Sequence, residues 1–427
     1  MSSGHEGENN SEPWWLPPRG RQIQGMIQEF MRIEASGGIV LLAGAIIALI
    51  WVNTATHSYH QFWEHELTIG FNGFEIREHL SGWVNDALMT IFFFVVGLEI
   101  KRELVVGELR DPRAAAMPIL AAAGGMIAPA IIYARLNQGG DGLDGWGIPV
   151  ATDIAFVVGV LALFGRRLPA GLRVFLLTLA IADDIGGIVI IAVFYTSDLS
   201  LVWLGGAAAG VGVAYAMQYF GVWRIFPYAI VGVAVWYMTF ESGVHATIAG
   251  VVLGLLTPAR PYRRRHIMET LEHRLLPWSS FVIVPIFALA NAGVEITGAT
   301  LQDAFSERIT WGIVLGLVVG KTVGIFTATY AGLRLGAGRL PEGVHMAHAF
   351  GGAMLGGIGF TVALFIAELS FSDRPALLED AKLGVFAGSL LAGILGSTFL
   401  LVVSRLSQPH PAPAQLARVR AHRDDLT

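Results

Sequence analysis

Long apolar stretches alternate with short polar connections along nearly the whole chain. A helix that crosses a bilayer needs roughly 20 apolar residues. On that criterion the pattern predicts an all-α integral membrane protein with about twelve transmembrane helices, placed at about 36–53, 84–100, 113–134, 147–164, 172–195, 202–220, 225–240, 243–257, 279–294, 310–332, 347–368 and 382–404.

Both ends of the chain differ from this pattern. Residues 1–35 are polar and acidic, with an amphipathic helix predicted near 23–33 from its helical spacing of apolar residues. Residues 405–427 form a polar tail that we expect to be disordered. The prediction is therefore an N-terminal segment over 1–35, a membrane domain over 36–404 and a tail over 405–427.

One connection, at about 60–80, has a pattern of its own. The segment "ELTIGFNGFEIRE" alternates apolar and polar residues around Asn72-Gly73, a favoured hairpin turn. A lone hairpin is marginally stable in water, and its open edges favour pairing with a second copy. Two alternatives follow: an arm that forms a homodimer, or a hairpin that lies flat on its own protein.

Composition agrees with a membrane protein. Hydrophobic residues make up 54% of the chain and charged residues only 14%, whereas soluble proteins carry about 25% charged residues. Cysteine is absent, which excludes disulfides, thiolate metal sites and thiol catalysis.

The basic residues gather at every second connection, which predicts orientation through the positive-inside rule. The alternation requires that no span is missing or extra, and it predicts that both termini are cytoplasmic. The basic connections hold Arg19, Arg21, Arg32, Lys101, Arg102, Arg110, Arg113, Arg166, Arg167, Arg173, Arg224, Arg260, Arg263, Arg264, Arg265, Arg274, Arg334, Arg339 and Arg405, and the others only Arg77, Arg135, Arg308, Arg374 and Lys382.

A few ionisable residues remain at membrane depth. Asp183 and Asp184 are at the centre of the fifth span, Asp153 is in the fourth and Lys321 is in the tenth. A charge at the bilayer centre costs about 2.5–3.5 kcal/mol on insertion scales, so such residues usually have a function. The structural alternative is that they only cap broken helices or form ion pairs.

The two adjacent aspartates point in different directions, because consecutive helix positions are about 100° apart. We expect one of them to face a water-filled cavity and the other to meet Lys321. Carboxylate oxygens are hard ligands that suit Na⁺ or Li⁺, and a proton competes for the same oxygens.

Two of the spans are poor continuous helices. The fourth carries Gly147, Pro149, Thr152 and Asp153, and the eleventh contains "GGAMLGGIGFTVALF". Each is the middle member of a triplet, spans 3–5 and 10–12, as in inverted-topology repeats with two interrupted crossing helices. In that arrangement Asp153 balances the facing helix N-termini and Lys321 the facing C-termini.

Several motifs resemble those of the NhaA-type Na⁺/H⁺ antiporters. They run in order from about Met26 to Ser404 and include "NDALMTIFFFVVGLEIKREL", "ATDIAF", "LAIADDIGGIVIIAVFYT", "GVHATIAGVVLGLLTP", "LEHRLLPW", "PIFALANAGV", "GKTVGI" and "GIGFTVALFIA". The resemblance implies a pH-regulated, electrogenic antiporter of the cell inner membrane, often dimeric, that expels Na⁺ or Li⁺ in exchange for protons. We expect no cofactor beyond the transported ions, no nucleic-acid partner and no enzyme activity.

The resemblance also implies a role for each matching residue. Asp184 would be the principal carboxylate for Na⁺ and H⁺, and Asp183 the acid that pairs with Lys321, while Thr152 and Asp153 would lie at the helix crossing. The pH-response candidates are Glu99, Arg102, Glu103, Glu272, His273 and His245. Leu276 occupies a place where the family can carry a second histidine, so the pH threshold is open.

Three other functions remain as alternatives from the residues themselves. A Na⁺-coupled symporter of an organic solute also uses crossed broken helices, but it needs a roomy polar cavity. An intramembrane aspartyl protease needs two aspartates on separate helices, for which Asp153 and Asp184 qualify by depth. A passive channel is disfavoured because the acids do not form a ring.

Overall fold

The structure is a computed structural model, and it describes residues 18–71, 74–196, 199–222, 224–259 and 266–406. Helices dominate, and one antiparallel hairpin is present in the described part. The predicted tail beyond 406, the Asn72-Gly73 turn, residues 1–17 and the basic residues Arg260 and 263–265 lie outside the described residues.

The helices follow the predicted segments closely. We number them α1 Pro18–Thr54, α2 Thr56–Trp63, α3 Leu80–Val105, α4 Pro112–Leu136, α5 Ile154–Leu163, α6 Ala170–Phe194, α7 Leu201–Tyr219, α8 Ile225–Glu241, α9 Thr247–Leu256, α10 Ile267–Asn291, α11 Gly298–Ser306, α12 Arg308–Arg334, α13 Met346–Leu355, α14 Phe360–Phe371 and α15 Pro375–Leu406. Three short 3₁₀ helices cover Glu108–Arg110, Asp141–Val150 and Gly165–Arg167.

Within the described residues, eight helices are long and apolar enough to cross a membrane, and two bent pairs raise that number to ten. Two shorter apolar helices, α8 and α9, have 17 and 10 residues. Together these account for every one of the predicted segments. The all-α membrane architecture is therefore confirmed, while a count of twelve complete spans remains a prediction.

The first helix differs from what we predicted. We expected an amphipathic piece near 23–33, separated from a span at 36–53, but α1 is continuous from Pro18 to Thr54. The segment between them, Glu34 to Gly38, has no proline, so nothing stops the helix from propagating through two adjacent glycines.

Three long helices contain a π-helical turn, at Val84–Leu88 in α3, Ser279–Ile283 in α10 and Gly316–Gly320 in α12. Such turns are rare and occur often at functional sites. The third ends directly before Lys321, at the depth where the broken helices meet. Gly316 and Gly320 face Pro149 and Pro129 there, with no space for a larger side chain.

Both predicted interruptions are present. The 3₁₀ helix Asp141–Val150 and α5 meet at an angle of 43°, and α13 and α14 meet at 45°. Residues 151–153 between the first pair are extended, and residues 356–359 connect the second pair. The chain is therefore non-helical at two places within the bundle, where protein surrounds it, as a membrane interior requires.

Several helix pairs touch through their backbones, most closely α3 with α9 and α4 with α12. In the α3–α9 pair, a methyl group on Gly250 would come within 2.2 Å of the Thr90 carbonyl oxygen. In the α4–α12 pair, a methyl group on Gly324 would come within 2.1 Å of the Gly124 carbonyl oxygen. Small residues at such contacts let helices approach closely in a membrane.

The predicted hairpin is present as strands β1, Glu66–Phe71, and β2, Phe74–His79, which pair antiparallel with Ile69 opposite Ile76. The Trp83 indole nitrogen donates to the Leu67 carbonyl oxygen at 2.9 Å, which ties the hairpin to the start of α3. The side chains of Leu67 and Ile69 remain exposed on this chain.

Candidate functional site

The site forms where the two broken helices cross. The Asp153 backbone N–H donates to the Ile358 carbonyl oxygen at 2.7 Å, and the Thr152 hydroxyl donates to the Gly356 carbonyl oxygen at 2.8 Å. Thr152 and Asp153 are almost completely buried. These bonds satisfy backbone groups that the interruptions would otherwise leave without partners.

Asp153 caps both half-helices that begin at the crossing. Its Oδ1 accepts from the Phe156 N–H of α5 at 3.1 Å, and its Oδ2 accepts from the Thr361 N–H at 3.0 Å and hydroxyl at 2.5 Å in α14. One carboxylate thus balances two facing helix N-termini, where negative charge is favourable.

Lys321 and Asp183 form a completely buried ion pair. Lys321 is 0% exposed and its Nζ lies 2.5 Å from the Asp183 Oδ2. Nζ also donates to the Thr152 hydroxyl at 2.9 Å, which links the pair to the α13 C-terminus through Gly356. A buried charge that loses its partner is strongly destabilising, so each member of this pair depends on the other.

Asp184 has a different environment from its neighbour. It lines a cavity of about 50 Å³, which is enough for several water molecules or a small cation with part of its hydration shell. The other acidic residues on the wall are Glu34, Glu99 and Asp153, and hydroxyl groups come from Thr152, Ser279, Ser280 and Thr361.

These wall residues offer the oxygen ligands that alkali ions and protons use. Among the described residues, no three acidic or histidine side chains converge as they do in a fixed metal site.

Four of the pH-response candidates lie near this cavity, at the ends of α3 and α10. Glu99 is 6% exposed and lines the cavity. An Arg102 guanidinium N–H donates to the Glu272 carboxylate, and the Glu103 carboxylate accepts from the Glu108 backbone N–H at 2.8 Å.

The two histidine candidates are not part of that group. His273 is exposed on α10. His245 is at the opposite end of the bundle, where its ring is hydrogen-bonded to the backbone of Tyr195 and its Nε2 has no partner. Leu276, which replaces a possible second histidine, lines the cavity and is 5% exposed.

Sequence reasoning missed Glu34 and Ser280. The Ser280 hydroxyl donates to the Glu34 Oε1 at 2.6 Å, and both residues line the cavity. Glu34 comes directly before the first apolar run, so it resembles an ordinary boundary residue. The available signal was that Glu34 is at the start of the first span and Glu99 near the end of the second, which places both on the same side of the membrane.

Comparison with known proteins shows the family to which the chain is similar. The family model described as Na⁺/H⁺ antiporter 1 matches residues 28–400. A Na⁺/H⁺ antiporter NhaA of Serratia proteamaculans is 46% identical over 391 residues, covering 91% of this chain and 99% of the relative. The corresponding protein of an Escherichia coli O139:H28 strain is 45% identical over 386 residues, covering 89% and 99%.

A solved structure supports the fold. The sodium proton antiporter MjNhaP1 from Methanocaldococcus jannaschii superposes with a TM-score of 0.55 at 13% sequence identity. The alignment covers 90% of this chain and 98% of that one. At that identity the likeness concerns the arrangement of helices, which the two proteins share over nearly their full lengths.

Proposed function

This chain belongs to the Na⁺/H⁺ antiporter 1 family, and we propose that it expels Na⁺ or Li⁺ from the cell in exchange for protons. The observation that supports this exchange is the separation of the two adjacent aspartates. Asp183 is neutralised by Lys321 in a closed environment, whereas Asp184 faces a cavity that water and a small cation can enter.

Each cycle uses the fact that Asp184 cannot hold a proton and a Na⁺ ion at once. Protons that enter from outside bind to Asp184 and to a partner, either Asp183 or Lys321. The assembly of broken helices then rocks, so that the cavity opens toward the cytoplasm. Na⁺ binds there, displaces the protons and leaves on the return step.

The exchange is electrogenic if two protons enter for each Na⁺ that leaves. Net positive charge then moves inward, and the membrane potential supplies about 2.3 kcal/mol per charge for each 100 mV. We propose the cell inner membrane as the location, with both termini in the cytoplasm as the arginine pattern predicts. The hairpin of β1 and β2 is the proposed contact of a homodimer.

The first test replaces the cavity carboxylate. We expect Asp184→Asn to abolish Na⁺- and Li⁺-dependent proton release from everted vesicles, because the amide neither binds a proton at neutral pH nor attracts a cation. Asp303→Asn, a matched change at an exposed position of α11, should leave exchange unchanged. Near-normal exchange by the Asp184 variant would remove this residue from the mechanism.

The rival symporter makes a different prediction. A cavity of about 50 Å³ is far smaller than the 300–1,000 Å³ of typical small-molecule pockets. We therefore expect purified protein in liposomes to exchange Na⁺ for H⁺ with no organic solute present. A strict requirement for such a solute would favour the symporter instead.

A further inference from the structure

The cavity has two walls that belong to different parts of the bundle. Asp153 and Asp184 come from the broken-helix crossing and from α6, whereas Glu34 and Glu99 come from α1 and α3. The roles inferred above concern the first wall together with Glu99. Glu34 has none, although it is an acid that faces the same space.

Glu34 is held in a defined position. The Ser280 hydroxyl donates to its Oε1 at 2.6 Å, and Ser280 is itself 6% exposed in the π-helical turn of α10. One helical turn beyond Glu34, a methyl group on Gly37 would come within 2.7 Å of the Ser280 Cβ. Because α1 and α10 are this close, the Glu34 carboxylate remains beside Ser280 and the cavity.

A second observation on the same wall indicates a ligand. Glu99 is 94% buried and lines the cavity, yet no hydrogen bond or ion pair holds its carboxylate within the described residues. A buried carboxylate without a partner is unfavourable unless it binds a proton or a cation. Arg102 supplies part of this positive charge, and a proton or a cation in the cavity can supply the rest.

We propose that Glu34, with the Ser280 hydroxyl and Glu99, forms a first binding position for the incoming cation, from which Na⁺ or Li⁺ moves across the cavity to Asp184. This proposal rests on the exchange function proposed above. Two carboxylates and a hydroxyl supply hard oxygen ligands of the kind that small alkali ions accept. Charges of one sign along a narrow cavity also raise the local concentration of cations.

The charged groups around Glu34 determine how removal of its charge changes the pH dependence of exchange. The charges that act on Asp184 include Asp183, Asp153, Lys321 and Glu34. Those that act on Glu99 include Glu34, Arg102, Glu272 and Asp184. Negative groups therefore outnumber the two positive ones, Lys321 and Arg102. Removing the Glu34 charge should weaken the attraction of this cavity for both Na⁺ and H⁺.

The central experiment is Glu34→Gln, studied as Na⁺/H⁺ and Li⁺/H⁺ exchange by the full chain in proteoliposomes. We expect the apparent KM for both ions at alkaline pH to rise about tenfold, with Vmax changed by less than about twofold. The acid limit of activity should move to lower pH, because protons compete less strongly. A purely structural defect would lower Vmax without this change in the pH profile.

Three further variants keep the proposal testable if Glu34→Gln folds poorly. Ser280→Ala leaves the charge but frees the carboxylate, and should raise the KM by about threefold. Glu34→Asp keeps the charge and should retain most of the affinity. Glu269→Gln removes an exposed acid from α10 and should change nothing, because solvent and salt screen that charge.

The possible outcomes separate this proposal from the function on which it rests. If the unmodified protein exchanges Na⁺ for H⁺, but Glu34→Gln and Ser280→Ala have unchanged KM values and pH profiles, Glu34 has only a structural role and the proposal is wrong. If the unmodified protein exchanges neither ion, the proposed function itself fails.

Discussion

Asp183 and Asp184 are neighbours in the chain but belong to two regions with opposite properties. The region around Asp183 is closed, since its carboxylate meets Lys321 at 2.5 Å and both residues are almost fully buried. The region around Asp184 is open, with a cavity and three more carboxyl groups. One helix step of about 100° separates a structural ion pair from a site available to ions.

This difference indicates how an acidic pair is tolerated in a membrane. If both aspartates faced the cavity, their negative charges would repel each other strongly at this depth. Because Lys321 is paired with Asp183, its positive charge offsets part of the repulsion between the two aspartates. The closed region therefore makes the open one possible, and substitutions can test each region separately.

The largest effect on stability is expected in the closed region. Lys321→Ala leaves the Asp183 carboxylate buried without a cation, which should cost about 3–5 kcal/mol. Thermal unfolding in detergent measures this loss. The double variant Lys321→Met with Asp183→Asn removes both charges and should recover most of the stability. A double variant as unstable as Lys321→Ala would show that packing, rather than the ion pair, is responsible.

Asp153 lies between the two regions, and its removal should lower the free energy of unfolding by an intermediate amount. Asp153→Ala deletes the caps of α5 and α14 together, at about 1 kcal/mol for each helix. Thermal unfolding should therefore show a loss of about 2 kcal/mol, with a rise in the KM for Na⁺ because the cavity loses a carboxylate. Asp111→Ala, which removes the N-cap of α4 at an exposed site, is the matched control for one lost cap.

The smallest effect is expected in the open region, at Leu276, where this chain differs from the pattern of the family. Leu276→His places an imidazole on the cavity wall, where its positive charge below about pH 6.5 repels Na⁺. The acid limit of exchange should then rise by up to about one pH unit. His266→Ala, at an exposed position directly before the same helix, should leave the pH profile unchanged.

Much of this arrangement follows from sequence. The angle of about 100° between consecutive helix positions separates Asp183 from Asp184. Charge balance connects one of the two with Lys321, and the resemblance identifies that one as Asp183. The glycine and proline positions place both interruptions correctly. Asp153 bonds to both half-helices as the facing N-termini predict. These features depend on local geometry and on charges that the membrane makes costly, which is why they are readable from residue types and spacing.

Other features could not be predicted from the sequence, for physical reasons. The π-helical turn at Ser279–Ile283 has no residue signature, although it carries Ser279 and Ser280 of the cavity wall. Leu276 and Ser280 face inward while His273 faces out, which the resemblance alone did not indicate. The role of α1 as a cavity wall depends on a tertiary contact with α10, so Glu34 could not be distinguished from a boundary acid.

The backbone contacts of Gly250 with Thr90 and of Gly124 with Gly324 have a mechanical consequence. With carbonyl oxygens against bare α-carbons, neither pair of helices has a compressible layer of side chains along which to slide. We therefore expect the two helices of each pair to move together as one rigid body. Displacement during transport is therefore expected between such pairs rather than within them.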